Sequence, residues 1–217
     1  MAIESVYRTV LDYDMNGVLN AIREELEIGS EVSAIVKNGL IAALDEIGRK
    51  FATGELYVPE MLVAAKAVKA GMEIVRPFVT GVQRSHSGTV IIGTVAGDLH
   101  DIGQNLVATM LEGGGFNVLD LGVDVGKDVF LNAVSENKAD IVALSALLTT
   151  TMTQMKEVVA LLKSHNESIR VMIGGAPVDQ KYFNTIGADG YADDAAGAVT
   201  LARKLLGVPL CTCCVNS

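Results

Sequence analysis

Residues 89–114 read TVIIGTVAGDLHDIGQNLVATMLEGG. The first seven are apolar or β-branched around one glycine, and their length suits a strand buried on both faces. From Ile102 the apolar residues recur at helical spacing until the glycines at 113–115 interrupt them. A buried strand followed at once by a helix is the opening half of a βαβ unit. The rhythm then repeats: FNVLDLG precedes KDVFLNAVSENK, DIVALSAL precedes MTQMKEVVALLKSH, IRVMIGG precedes DQKYFNTIG, and DGYAD precedes AAGAVTLARKLL. Five strands alternating with helices predict an α/β doubly wound parallel sheet covered on both faces, with right-handed crossovers. With the flavodoxin-like (Rossmann-like) strand order 2-1-3-4-5, the first and third strands flank the switch point where such sheets bind ligands.

Upstream the period is different. VLNAIREEL, VSAIVKNGLIAALDEIGRKF and MLVAAKAVKAGMEIVRPFV carry apolar stripes at helical spacing up to about Val79, with no alternating β-branched run between them. Pro59 suits a first helical turn, and Glu60 suits its positive end. This half predicts a small bundle of about four helices. The polar, glycine-flanked GVQRSHSG at 81–88 reads as a linker. The expected organisation is a helical domain over 1–85, an α/β domain over 88–208, and a tail over 209–217.

Composition narrows the function classes. Of 217 residues half are apolar, and the formal charge is −9, which argues against nucleic acid because that ligand favours a basic face. The apolar runs are too short to cross a bilayer and the N-terminus carries no signal-peptide pattern, so a cytoplasmic location with no membrane partner is expected. All three cysteines lie in the final CTCCVNS. The body offers them nothing to pair with, so no disulfide framework or function is assigned to the tail.

The residues with chemistry gather at strand ends: Asp98 and His100 after the first strand, Ser145 and Thr149 at the third, Gly174 and Gly175 at the fourth. A histidine on such a loop can ligate a metal through one ring nitrogen while a carboxylate holds the other. Two positions apart, Asp98 and His100 could leave an extended strand on the same side, and Ser145 could donate a hydroxyl to the carboxylate. On that reading Asp98→Asn keeps the histidine bond and only tunes it. Each feature also has an ordinary explanation: a surface histidine, a glycine turn, a hydroxyl bonded to backbone.

The combination is more specific. D-L-H-D-I-G, 41 residues, S-A-L, 26 residues and G-G resembles the D-x-H-x-x-G, S-x-L, G-G signature of cobalamin-binding domains, matching at Asp98, His100, Gly103, Ser145, Leu147, Gly174 and Gly175. The segment ELYVPEMLVAAKAVKAGMEIV resembles the cap of methyltransferase corrinoid proteins, the methyl carriers of methylamine, methanol, betaine and aryl-ether systems. The resemblance implies cobalamin as cofactor, bound base-off with His100 as the lower cobalt ligand. It further implies cofactor contacts from Gly97, Asp98, Leu99, Asp101, Ile102, Gly103, Ser145, Leu147, Thr149, Gly174 and Gly175, and from Met61 in a four-helix-type cap over the upper face. The displaced nucleotide tail would run in a slot lined by Gly103 and the glycine pair. Cobalt tuned in this way takes and surrenders a methyl group, so the implied partners are a substrate-specific methyltransferase, a corrinoid-to-acceptor methyltransferase and a reductive activator.

Other readings fit less well. A phosphoacceptor receiver needs an aspartate where SALLT stands. A cobalamin mutase needs a catalytic barrel. A zinc hydrolase needs ligands that His86, in the linker, and His165, near a helix end, are poorly placed to give. A cobalamin-dependent sensor is the main alternative, but such regulators usually add a basic DNA-binding module and none is visible. With no barrel to activate a donor, the chain reads as a non-catalytic methyl-carrier subunit.

Overall fold

A computed structural model describes residues 3–78 and 87–208. The linker at 81–86, including His86, and the cysteine-containing tail from 209 lie outside the described residues. The chain forms two compact units, one of helices and one built on a sheet.

The helical unit contains α1 (Ile3–Leu11), α2 (Met15–Glu27), α3 (Val32–Ala34), α4 (Ala42–Ala52) and α5 (Val58–Val75), and a short 3₁₀ turn follows over Arg76–Phe78. Asp14 caps α2 by accepting the Gly17 N–H at 2.9 Å. At α5, Pro59 sits in the first turn and the Glu60 carboxylate accepts the Tyr57 N–H at 2.8 Å. This satisfies one of the donors that a helix start leaves free. The stretch VSAIVKNGLIAALDEIGRKF is helical as its period predicts, but it is not a uniform α-helix. Ile35–Ile41, between α3 and α4, is wound as a π-helix. Gly39 lies in that segment, where a Cβ would come 2.9 Å from Val6 Cγ1 of α1. The missing side chain is what lets α1 pack so close.

The sheet unit is the predicted one. Strands β1 (Thr89–Thr94), β2 (Asn117–Asp120), β3 (Ile141–Ser145), β4 (Arg170–Gly174) and β5 (Gly190–Ala192) are all parallel, in the order β2-β1-β3-β4-β5. Helices α6 (Ile102–Gly113), α7 (Lys127–Asn137), α8 (Thr153–His165), α9 (Gln180–Ile186) and α10 (Ala195–Leu206) follow the strands in turn. Every residue of β1 is buried, whereas edge strand β2 has no fully buried residue. That contrast is why the central strands read as unbroken apolar runs. Ile91, Val142, Leu144, Val171 and Ile173 pack with Phe130 of α7 and Met155, Val158, Val159 and Leu162 of α8. At roughly 1.5–3 kcal/mol for each fully buried large apolar side chain, this layer is the main stabilising term of the unit.

Register aligns the strand ends. Thr94 of β1 pairs with Ser145 of β3, and Ser145 pairs with Gly174 of β4. The chain leaves β1 towards β2 on one side while β3 lies on the other, so the switch point falls between β1 and β3. Asp98, His100, Ser145 and Gly174 are thereby brought to one rim from separate parts of the sequence.

Candidate functional site

The loop leaving β1 turns tightly, with the Asp98 N–H donating to the Val95 carbonyl at 3.2 Å and Gly97 at φ +81°. The turn points the Asp98 side chain inward. It has no exposed surface, yet both carboxylate oxygens are saturated with donors. Oδ1 accepts the His100 backbone N–H at 3.1 Å and pairs with His100 Nδ1 at 2.7 Å. Oδ2 accepts the N–H groups of Leu147 at 2.8 Å and Leu148 at 3.3 Å and the Thr151 hydroxyl at 2.6 Å. Burial by itself would raise the carboxyl pKa. The bonds from Thr151, Leu147 and His100 outweigh it and hold the group well below the usual carboxylate range, so Asp98 is an anion.

That anion fixes the histidine. With Nδ1 committed to Asp98, a neutral His100 carries its proton there, and the lone pair on Nε2 is left as the ring's one donor site. The His100 side chain is half exposed, and its backbone carbonyl accepts the Thr94 hydroxyl at 3.0 Å. Flanking residues that would ordinarily be covered stand open: Leu99 and Ile102 are 72% and 84% exposed, Leu147 and Leu148 44% each. The rim therefore presents an imidazole amid apolar side chains. Among the described residues no group of three or more His, Cys, Asp or Glu side chains is placed to hold a metal ion. His100 is a single protein donor.

Asp101 is exposed, and its carbonyl accepts the Asn105 N–H at 2.8 Å as α6 begins. Ser145 does not supply the hydroxyl to Asp98. It is the last residue of β3, its carbonyl accepts the Val95 N–H at 3.0 Å, and the donor is Thr151. The reason is geometric, because the turn after β3 folds back and delivers residues 147, 148 and 151 to the carboxylate. Thr149 is exposed on that turn. Met61 has no exposed surface on α5, and His165 ends α8.

The glycines divide by environment. A Cβ at Gly103, in the first turn of α6, would meet no protein atom within 4 Å. At Gly175, with φ +121°, it would run into the Ala146 carbonyl, and at Gly174 it would come 3.0 Å from the Ala192 oxygen. Gly175 is thus required by the protein's own backbone packing, and Gly174 is tightly confined, whatever runs alongside. Of these three glycines only Gly103 faces open space.

Sequence reasoning also missed Asp124, in the loop between β2 and α7. Its Oδ1 accepts the Gly97 N–H at 2.7 Å and its own N–H donates to the Asp98 carbonyl at 3.0 Å. Nothing local marks it, since it is one acid among 26 Asp and Glu residues and lies far along the chain from the loop that it touches. Thr151 had a weak signal, as one of several hydroxyls in SALLTTT.

The family profile described as a B12 binding domain matches residues 88–200, and a second profile of the same description matches residues 2–76. Dimethylamine corrinoid protein 1 of Methanosarcina acetivorans is 39% identical over 207 residues, covering 94% of this chain and 97% of that protein. A crystal structure of a cobalamin-binding protein from Desulfitobacterium hafniense superposes with TM-score 0.81 at 28% identity, over 94% of this chain and 98% of the other. A chain in the methanol:cobalamin methyltransferase complex of Methanosarcina barkeri gives TM-score 0.81 at 28% identity, over 96% of this chain and 81% of that one.

Proposed function

The chain belongs to the B12-binding domain family, and from that premise we propose that it is the corrinoid protein of a methyltransferase system, a methyl carrier that holds cobalamin base-off with His100 as the lower cobalt ligand. The observation that carries the reading is the buried Asp98 carboxylate, whose bond to Nδ1 of His100 leaves Nε2 as the ring's free donor.

The residues present fit the cofactor. A lone imidazole is a poor site for a bare ion, which wants three or four protein ligands, but it suits a metal whose equatorial ligands come with a macrocycle. The exposed Leu99, Ile102, Leu147 and Leu148 would supply apolar contact to the macrocycle, and the open space at Gly103 would admit the nucleotide tail. When bound, cobalamin supplies a cobalt centre able to accept a methyl group and to give it up again.

The protein's own part is electrostatic and positional. The Asp98 carboxylate on the Nδ1 proton fixes the ring's tautomer and orientation and would strengthen Nε2 as a donor to the metal. The Leu147, Leu148 and Thr151 donors keep Asp98 ionised and fixed. Such a carrier needs a methyltransferase on either side of it and a reductive activator. The relatives named for dimethylamine and the methanol complex support that class of partner without selecting the donor.

The test is electron paramagnetic resonance of the full chain loaded with hydroxocobalamin and reduced to Co(II). A nitrogen axial ligand should split the signal into triplets in the wild type. His100→Ala should keep the corrin but lose the splitting. Wild type without triplets, or His100→Ala with them, would overturn the assignment.

A further inference from the structure

We propose that Asp124 is a positioning residue for axial ligation, a two-point clasp that sets the attitude of the loop carrying Asp98 and His100. The proposal rests on the reading of His100 as the axial donor.

Two peptide groups of the turn after β1, the N–H of Gly97 and the C=O of Asp98, find their partners outside the turn. Asp124 takes both, the first through its carboxylate at 2.7 Å and the second through its backbone N–H at 3.0 Å. The two groups bracket Asp98. Its Cα position, and hence the direction from which its carboxylate meets the imidazole, is fixed from outside the loop. Asp124 accepts an unfavourable backbone to do this, with φ +55°, one of three non-glycine residues at positive φ among the described residues. Aspartate tolerates the left-handed region better than most residues, but not without strain. Strain at an over-determined position points to a role.

The clasp can be separated from the general anchoring of its segment. Gly122 O accepts the Thr94 N–H at 2.9 Å, and the Val125 N–H donates to Thr94 O at 2.9 Å. These bonds tie the loop between β2 and α7 to β1 without the Asp124 carboxylate. Removing the carboxylate should leave the segment in place and release only the Gly97 peptide. Asp124 is exposed and bonds to Gly97 and Asp98 rather than to the imidazole, so its effect must pass through the loop.

The experiment uses the full chain loaded with hydroxocobalamin, reduced to Co(II) and read by electron paramagnetic resonance. Asp124→Gly keeps the backbone N–H and suits positive φ, losing only the carboxylate. Asp124→Asn keeps an oxygen acceptor and also tolerates positive φ. The ratio of nitrogen-split to unsplit signal should fall roughly tenfold in Asp124→Gly, within the range for changes behind a ligand. It should stay near wild type in Asp124→Asn, with corrin bound per chain unchanged in both. A wild-type ratio in Asp124→Gly, or an equal fall in Asp124→Asn, overturns the clasp while His100 ligation stands. Absence of splitting in the wild type overturns both. Should Asp124→Gly fail to fold, amide hydrogen exchange on the wild-type protein decides: the Gly97 N–H should be protected, and free exchange there overturns the clasp.

Discussion

Asp98→Asn should abolish most axial ligation by His100, because the amide cannot satisfy the donors that converge on the carboxylate. Three reach Oδ2 and two reach Oδ1. If the new NH2 faces the Oδ2 side, it meets the Leu147 and Leu148 N–H groups and the Thr151 hydroxyl. Thr151 can turn its proton to the Leu148 carbonyl, already 3.0 Å away, but two N–H groups remain opposed. If the NH2 faces the Oδ1 side, one N–H is opposed, that of His100, and the ring can accept at Nδ1. The second arrangement is better by about one hydrogen bond, roughly 1–3 kcal/mol. In it the imidazole proton moves to Nε2, which then has no lone pair for cobalt. Restoring ligation means setting an Nδ1 proton against the amide, again roughly 1–3 kcal/mol, or a factor of about 5–150 in the ratio of ligated to unligated cofactor. Co(II) resonance spectra of wild type and Asp98→Asn measure that ratio directly. An unchanged triplet pattern in the variant would refute the reasoning, and would restore the simpler expectation that the amide keeps the bond.

Gly103→Leu should hold its fold, with the apo protein no less stable than wild type, since Gly→Ala alone at a compatible helical site gains roughly 0.4–1 kcal/mol; its cobalamin retention in equilibrium dialysis should collapse, and normal retention would remove Gly103 from the tail slot. Gly175→Ala should by contrast lower the thermal midpoint of the apo protein, by overpacking worth roughly 1–3 kcal/mol against the Ala146 carbonyl, and an unshifted midpoint would sink that account. For Thr151→Val the sign follows from Asp98: its folded pKa lies below the unfolded one, so the ionised group contributes stability above about pH 4 that is lost as the pH falls through the folded value. Removing the hydroxyl raises the folded value, so the variant should be less stable at pH 7 by about 1.5–3 kcal/mol, with the gap closing only in strong acid; urea midpoints across pH that show the gap widening there would contradict it. Finally, the reduced, cobalamin-loaded chain mixed with a methylated amine, methanol, betaine or aryl ether should stay unmethylated until a partner methyltransferase is added, and rapid methylation by the chain alone would make it an enzyme in its own right.

Periodic and local features were legible in the sequence. Unbroken apolar runs alternating with helical stripes specify a parallel sheet, because only strands covered on both faces are apolar throughout, and the observed strand order is the one expected. Asp98 and His100 were legible as a pair because they are two residues apart at a strand exit. What the sequence could not decide was which distant groups meet them. Ser145 and Thr151 are both hydroxyls near the end of β3. Register holds Ser145 on the strand beside Thr94 and Gly174, while the turn beyond it carries Thr151 back to the carboxylate. Asp124 reaches the same loop only because β2 lies beside β1. Gly103 and Gly175 are the same letter, but one faces space and the other a carbonyl oxygen. Periodicity encodes which face of an element is buried; the partner of a particular polar atom depends on where separate elements end against one another, and that is settled when the sheet assembles.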